Sequence, residues 1–105
     1  MKEVYKMEEI TTQELKHKME NDEHIVLIDV REEFEVKFGK IPGAWHIPLQ
    51  ELPNTTTTLD KNKEYILICR SGGRSAMGCQ LLEMQGFTTF NVIDGMVGWR
   101  GELEF

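Results

Sequence analysis

The chain has 105 residues, 18 of them acidic and 12 basic, for a formal net charge of −6. That length suffices for one compact domain over residues 1–105 and not for two, and the acidic balance, with no basic run or aromatic platform, argues against nucleic-acid binding. No window approaches the ~20 apolar residues of a membrane span. The start, Met1-Lys2-Glu3-Val4-Tyr5-Lys6, has no apolar signal core, so the expectation is a cytoplasmic monomer with no membrane partner.

Val4 to Glu9 reads as a short first strand. Thr11 and Glu14 have the spacing of a capping box, with Ile10 and Leu15 placed as a hydrophobic staple, and the helix they open runs to about Asn21. Ile25-Val26-Leu27-Ile28 is a continuous apolar run, the pattern of a strand covered on both faces in a parallel sheet. Asp29 ends that run. Arg31 to Phe38 then reads as a second helix, stopped by Gly39 and Pro42. Ala44 to Ile47 is a short strand, Leu49 to Leu52 a single helical turn, and Pro53 through Thr58 a polar connection.

Tyr65 to Ile68 is the central buried strand. A third helix from Ala76 ends near Gly86, Thr88 to Ile93 is the last strand, and Met96 to Arg100 starts a closing turn or helix. Strands alternating with helices predict an α/β fold with a parallel sheet. Ligands of such sheets bind beyond the carboxyl ends of the strands. Asp29 and Cys69 both stand at such ends and are expected to face one crevice.

The most informative stretch lies between the central strand and the third helix: Cys69-Arg70-Ser71-Gly72-Gly73-Arg74-Ser75. Gly72 and Gly73 can take positive φ at little cost. Alternating backbone signs would turn successive N–H groups inward as an anion-binding nest, and the following helix adds its N-terminal dipole. A thiol there ionises readily, and the thiolate is the nucleophile. Cys69 is therefore expected to be largely thiolate at neutral pH. Arg70 and Arg74 can each bind an anion through their donor forks. The spacing of Cys69 and Arg74 is C-x4-R. Tyrosine-phosphatase-type loops are C-x5-R, usually with histidine before the cysteine, where this chain has Ile68. The shorter bowl suits a sulfane sulfur better than a phosphoryl group.

The chain resembles the rhodanese-like sulfurtransferases in their short single-domain form. The resemblance rests on Leu27-Ile28-Asp29-Val30-Arg31-Glu32, on Gly39-Lys40-Ile41-Pro42-Gly43-Ala44 with His46-Ile47-Pro48-Leu49, on the Cys69 loop with Arg74-Ser75-Ala76, and on Gly86-Phe87, Asn91-Val92, Gly95-Met96 and Trp99. It implies a three-layer fold, a central parallel sheet of about five strands flanked by helices, and a persulfide carried on Cys69. Two positions depart from the family pattern. Lys40 replaces a usual histidine, a change read as neutral and surface-lying. Asp94 replaces the first of two usual glycines, on a loop that in this fold lies near the active-site mouth, where its carboxylate would repel small anions or select a protein or cationic partner.

The expected activity is a thiosulfate sulfurtransferase-type relay. The partners would be a small sulfur-donor anion such as thiosulfate and a thiol or protein sulfur acceptor. No metal or cofactor is expected. Cys69 is the nucleophile; Arg70, Ser71, Gly72, Gly73, Arg74 and Ser75 form the substrate cradle; Asp29 and Arg31 support it. Arg70 is read as facing substrate. Arg74 either binds the anion or braces the loop by pairing with Asp29, and Ser75 either donates to the persulfide or caps the helix. Cys79 is read as a buried core residue. His17, His24 and His46 are assigned structural or surface roles, and Trp45 and Trp99 packing roles. The alternatives from other classes are a small oxyanion phosphatase or arsenate reductase using the same cradle, a redox or persulfide-relay module, and a catalytically silent interaction domain.

Overall fold

The computed structural model describes residues 6–21 and 24–105. Five parallel strands form one sheet: β1 (Glu9–Ile10), β2 (Ile25–Asp29), β3 (Trp45–His46), β4 (Glu64–Ile68) and β5 (Thr88–Val92), in the order β1-β5-β4-β2-β3. The helices are α1 (Thr12–Asn21), α2 (Glu33–Val36), α3 (Gly73–Met84) and α4 (Gly95–Gly98), with a 3-10 segment over Leu49–Thr55. The parallel α/β sheet expected from the alternating apolar runs is present.

The apolar runs are long because both faces of the sheet are covered. Successive side chains of a strand point to opposite faces, and β4 divides accordingly. Tyr65, Leu67 and Cys69 join Leu82 and Cys79 of α3 and Leu52 of the 3-10 segment in one buried cluster. Ile66 and Ile68 join Ile10, Leu15 and Val92 in the other, against which Met96 and Trp99 pack. Cys69, the residue after β4, continues the alternation toward α3.

Most predicted elements stand close to their expected bounds. The capping box holds: the Thr11 N–H donates to Glu14 Oε1 at 3.0 Å and the Glu14 N–H to Thr11 Oγ1 at 3.2 Å. The expected first strand falls partly on residues outside those described, and among the described residues it is only Glu9–Ile10. The second helix is four residues, not the eight from Arg31 to Phe38. Its start is delayed because the Arg31 N–H turns to Asp29 Oδ1, and Glu32 is extended and shares a capping box with Glu35. The helix ends at Val36 with Lys37 as its C-cap, and the turn that follows leaves the helical region at Gly39, whose φ is +120°.

The single turn expected at Leu49–Leu52 extends to Thr55, and the threonine tract is more than a solvated link. Thr55 Oγ1 donates to the Leu52 carbonyl and Thr58 Oγ1 to that of Thr55, which tightens successive turns. Trp45, expected to pack, is about half exposed on the edge strand.

Candidate active site

The sheet order brings the carboxyl ends of β2, β4 and β5 side by side, and the Cys69 loop leaves from the middle one. Gly72 has φ of +97°, and a Cβ there would lie 2.5 Å from the Ile93 carbonyl oxygen. Only glycine fits that turn. Gly73 differs from the expectation: it opens α3, is not among the positive-φ glycines, and a Cβ there would meet nothing within 4 Å. One left-handed residue, not a pair, shapes the loop.

The turn aims donors at the sulfur. The Gly72 N–H donates to Cys69 Sγ at 3.1 Å, and Ser75 Oγ lies 3.2 Å from the same atom. The first residues of α4 complete the cradle from behind. The Met96 and Val97 N–H groups donate to the carbonyls of Cys69 and Arg70 at 2.9 and 3.0 Å, so those oxygens turn away from the thiol. Gly95 makes the approach possible, since a Cβ there would stand 2.4 Å from the Arg70 oxygen.

Cys69 is 1% exposed. Burial pushes its thiol up, but the Ser75 hydroxyl and the backbone amides of Ser75, Ser71 and Gly72 outweigh that, so the group ionises below the ordinary cysteine range. Cys79 has no such cradle, and burial pushes it up to about 11. Two free cysteines in one apolar cluster thus have opposite acidities.

Arg74 does not pair with Asp29. Its Nη1 and Nη2 donate to Glu35 Oε1 and Oε2 at 2.6 and 2.8 Å, an end-on fork tying the start of α3 to α2. Glu35 also accepts the Glu32 N–H. The Arg74 hydrogen bonds lead in holding its carboxyl down at about 2. The loop-bracing role is therefore the one the geometry gives Arg74, with a different carboxylate. Asp29, fully buried, is occupied by Arg31: Nε stands 3.0 Å from Oδ1 and Nη2 2.8 Å from Oδ2. Arg31 Nη2 also donates to the Gly39 carbonyl. The pair clamps β2 to the turn before β3, and Asp29 does not open into the crevice.

Ser75 does not cap α3 through its side chain. It is buried, its hydroxyl shared between Cys69 and Asn91. Arg70 and Ser71 are exposed, and Arg70 lines the cleft at the loop with Arg31, Glu35, Phe38, Met96 and Val97. The larger hollows are bounded by α1 and by Trp99 and Arg100, and no residue of the Cys69 loop lines them.

The two departures from the family pattern have different environments from those expected. Asp94 sits at φ of −93°, a conformation open to any residue, so no glycine is needed there. Its carboxylate accepts from the Thr12 N–H at 2.9 Å and the Thr12 hydroxyl at 2.7 Å. It binds the first turn of α1 and does not stand over the thiol. Lys40 is half-buried, its Nζ bonded to the Ala44 carbonyl and to Glu104 at 2.6 Å, so it is not surface-lying as expected.

Sequence reasoning missed Glu35 and Asn91 as site residues. For Asn91 a signal existed, a polar side chain with poor strand propensity inside a run otherwise suited to a strand. For Glu35 there was none, because its partner lies 39 residues away.

A model described as "Rhodanese-like domain" matches residues 11–102. The chain is similar to the "Putative sulfurtransferase YtwF" of Bacillus subtilis (strain 168), 53% identical over 91% of this chain and 93% of that one. It is 40% identical to the "Putative sulfur carrier protein YrkF" of the same organism over 91% of its own length but only 52% of that protein's. Among solved structures, a rhodanese-like domain protein from Staphylococcus aureus superposes with a TM-score of 0.88 at 38% identity, covering 94% of this chain and 98% of that one.

Proposed function

The chain belongs to the rhodanese-like domain family, and from that premise we propose that it is a sulfurtransferase moving sulfane sulfur through a persulfide on Cys69. The observation that carries this reading is the pair of contacts on one buried sulfur, from the Gly72 N–H and from Ser75 Oγ, in a loop one residue shorter than the C-x5-R of tyrosine phosphatases. The relative named as a sulfurtransferase, alike over nearly its whole length, supports it.

The relay has two displacements. The Cys69 thiolate attacks the outer sulfur of thiosulfate; a new S–S bond forms, the old one breaks, and sulfite leaves with the bonding pair. An acceptor thiolate, or cyanide in an assay, then attacks the terminal sulfur and Cys69 leaves as thiolate. No net electron transfer occurs. The loop amides hold the anionic sulfur in both states. Arg70 at the cleft receives the donor anion, with Ser71, Gly72 and Ser75 as its hydrogen-bonding floor, and the acceptor is a small thiol or a protein cysteine. The proposed setting is a reducing cytoplasm, which keeps the free thiols of Cys69 and Cys79 available, and the proposed state is a monomer.

Intact mass spectrometry after incubation with thiosulfate tests this. A gain of about one sulfur atom, removed by cyanide and absent from Cys69→Ser, is the expected result. Absence of the adduct with cysteine persulfide as well as thiosulfate, together with turnover of a phosphate ester, would transfer the assignment to oxyanion chemistry.

A further inference from the structure

A closed ring of hydrogen bonds passes through the nucleophile. The Gly72 N–H donates to Cys69 Sγ, and the Gly72 carbonyl accepts from Asn91 Nδ2 at 3.1 Å. Asn91 Oδ1 accepts from Ser75 Oγ at 2.5 Å, and Ser75 Oγ stands 3.2 Å from Cys69 Sγ. Cys69, Ser75 and Asn91 are 1%, 0% and 3% exposed, so solvent does not substitute for a missing member.

Counting protons fixes the directions. The Gly72 carbonyl can only accept, so it takes the Asn91 amide nitrogen and leaves the amide oxygen facing Ser75. A serine hydroxyl has one proton, and here two acceptors compete for it. While Cys69 is a thiol, its S–H can donate to Ser75 Oγ and the hydroxyl proton stays on Asn91. Once Cys69 is a thiolate it has no proton to give, and a charged sulfur is the stronger acceptor. The hydroxyl then turns to Sγ, and Asn91 Oδ1 is left buried without its donor, an unfavourable state.

We propose that Asn91 is a positioning residue for Cys69, acting through Ser75: it takes the hydroxyl proton while the sulfur is protonated and gives it up when the sulfur ionises. Asn91 therefore opposes ionisation and keeps the resting thiol from being wholly committed as thiolate. Ser75 favours ionisation. This rests on the reading of Cys69 as the nucleophile, but the thiol's ionisation is measurable whether or not sulfur is transferred.

No charged side chain accounts for the switch. The charged and titratable groups around Cys69 are Arg70 and Arg74 of its own loop, Glu35 and Glu32 beside Arg74, Asp29 and Arg31 at the end of β2, Asp94 just before α4, and Tyr65 and Cys79 in its apolar cluster. The β5 strand and α4, which face it from the other sides, contribute no charged residue. Replacing Asn91 by an apolar residue thus leaves every charge near Cys69 in place. The Gly72 carbonyl also keeps a partner, the Ala76 N–H at 3.2 Å.

The test is the pH profile of Cys69 alkylation by iodoacetamide in the parent, Asn91→Leu, Ser75→Ala and the double variant, with folding checked by thermal unfolding. Asn91→Leu is expected to lower the midpoint by about 0.5–1 unit, roughly a three- to tenfold larger ionisation constant. Ser75→Ala raises the midpoint, and the double variant matches Ser75→Ala. A raised or unmoved midpoint in Asn91→Leu overturns the proposal, as does an Asn91→Leu shift that persists without Ser75. The parent supplies a second test that needs no variant at position 91. The Asn91 side-chain amide resonances should titrate with the Cys69 midpoint and lose that titration in Ser75→Ala. Resonances flat through the midpoint overturn the proposal even if Asn91→Leu does not fold.

Discussion

Arg74 and Glu35 meet fork to fork, with Nη1 and Nη2 each donating to one carboxylate oxygen, at 2.6 and 2.8 Å. The contact ties the first turn of α3 to α2, the segment carrying the cleft residue Glu35 and preceding Phe38. Arg74→Lys keeps the charge and loses the fork. We expect its stability to fall by about 1 kcal/mol or less, because Arg74 is about a third exposed and solvent screens the pair. The rate of Cys69 persulfide formation should fall more than the stability change explains. Rapid-mixing kinetics with thiosulfate, alongside urea unfolding, separates the two.

The same pair sets an acid limit. Glu35 is held at about 2 in the folded protein, against about 4.3 for a free glutamate. A depressed carboxyl contributes stability in full above its unfolded value and loses it as pH falls through the folded one. The difference in melting temperature between the parent and Glu35→Gln should therefore be constant above about pH 5 and shrink between about pH 4.3 and pH 2. A difference that does not shrink over that interval would mean the fork is not formed in solution.

Asp29 and Arg31 form a buried clamp, with side chains 0% and 8% exposed. Removing one partner leaves the other charge buried, at about 3–5 kcal/mol. Arg31→Met and Asp29→Asn should both unfold at much lower urea concentration. Sulfur transfer per folded molecule should survive better in these variants than total activity, the mark of a support and not of a reacting group.

The two residues that open α4, Asp94 and Gly95, divide sharply. Gly95→Ala drives a methyl to 2.4 Å from the Arg70 oxygen and 2.7 Å from that of Cys69. It should displace the loop and reduce alkylation and sulfur transfer by about a hundredfold, the scale of misplacement by an ångström. Asp94→Gly removes the acceptor at the start of α1 and should cost about 1 kcal/mol, the usual value of a lost cap, with the Cys69 alkylation midpoint unchanged. Midpoints from iodoacetamide profiles and urea curves on both variants check this.

The two thiols should separate chemically. Near pH 7, iodoacetamide should label Cys69 alone in the native protein, because its hydrogen bonds hold the Cys69 thiol below the ordinary cysteine range while burial raises that of Cys79 to about 11. In denaturant both should label at similar rates. Peptide mapping of singly labelled protein reads the site directly, and native labelling at Cys79 would contradict this contrast in acidity.

Local patterns were the legible part of this fold. The Thr11–Glu14 box and the apolar runs at Ile25–Ile28 and Tyr65–Ile68 act over a few residues, and they placed α1, β2 and β4 nearly at their observed bounds. The Cys69 loop was recognisable for the same reason, since its glycine, helix start and thiol are contiguous. What the sequence hid is set by distant partners. Glu35 with Arg74, Asp94 with Thr12 and Asn91 with Ser75 join residues far apart along the chain, and no periodicity encodes which carboxylate an arginine will find. Gly72 and Gly73 were indistinguishable because both permit positive φ. Only the Ile93 carbonyl, arriving from the far end of the chain, shows which one must use it.

The dependence of the cradle on the last strand has a consequence for synthesis. Cys69 emerges from the ribosome well before Asn91, Gly95, Met96 and Val97, which orient Ser75 and tie back the carbonyls of Cys69 and Arg70. Until then the thiol has neither its aligned donors nor its shaped turn. A nascent or truncated chain carries an ordinary cysteine, and its reactivity is acquired only as the fold closes. If Cys69 carries sulfur as proposed, loading is expected only once residues 91–97 are in place around it.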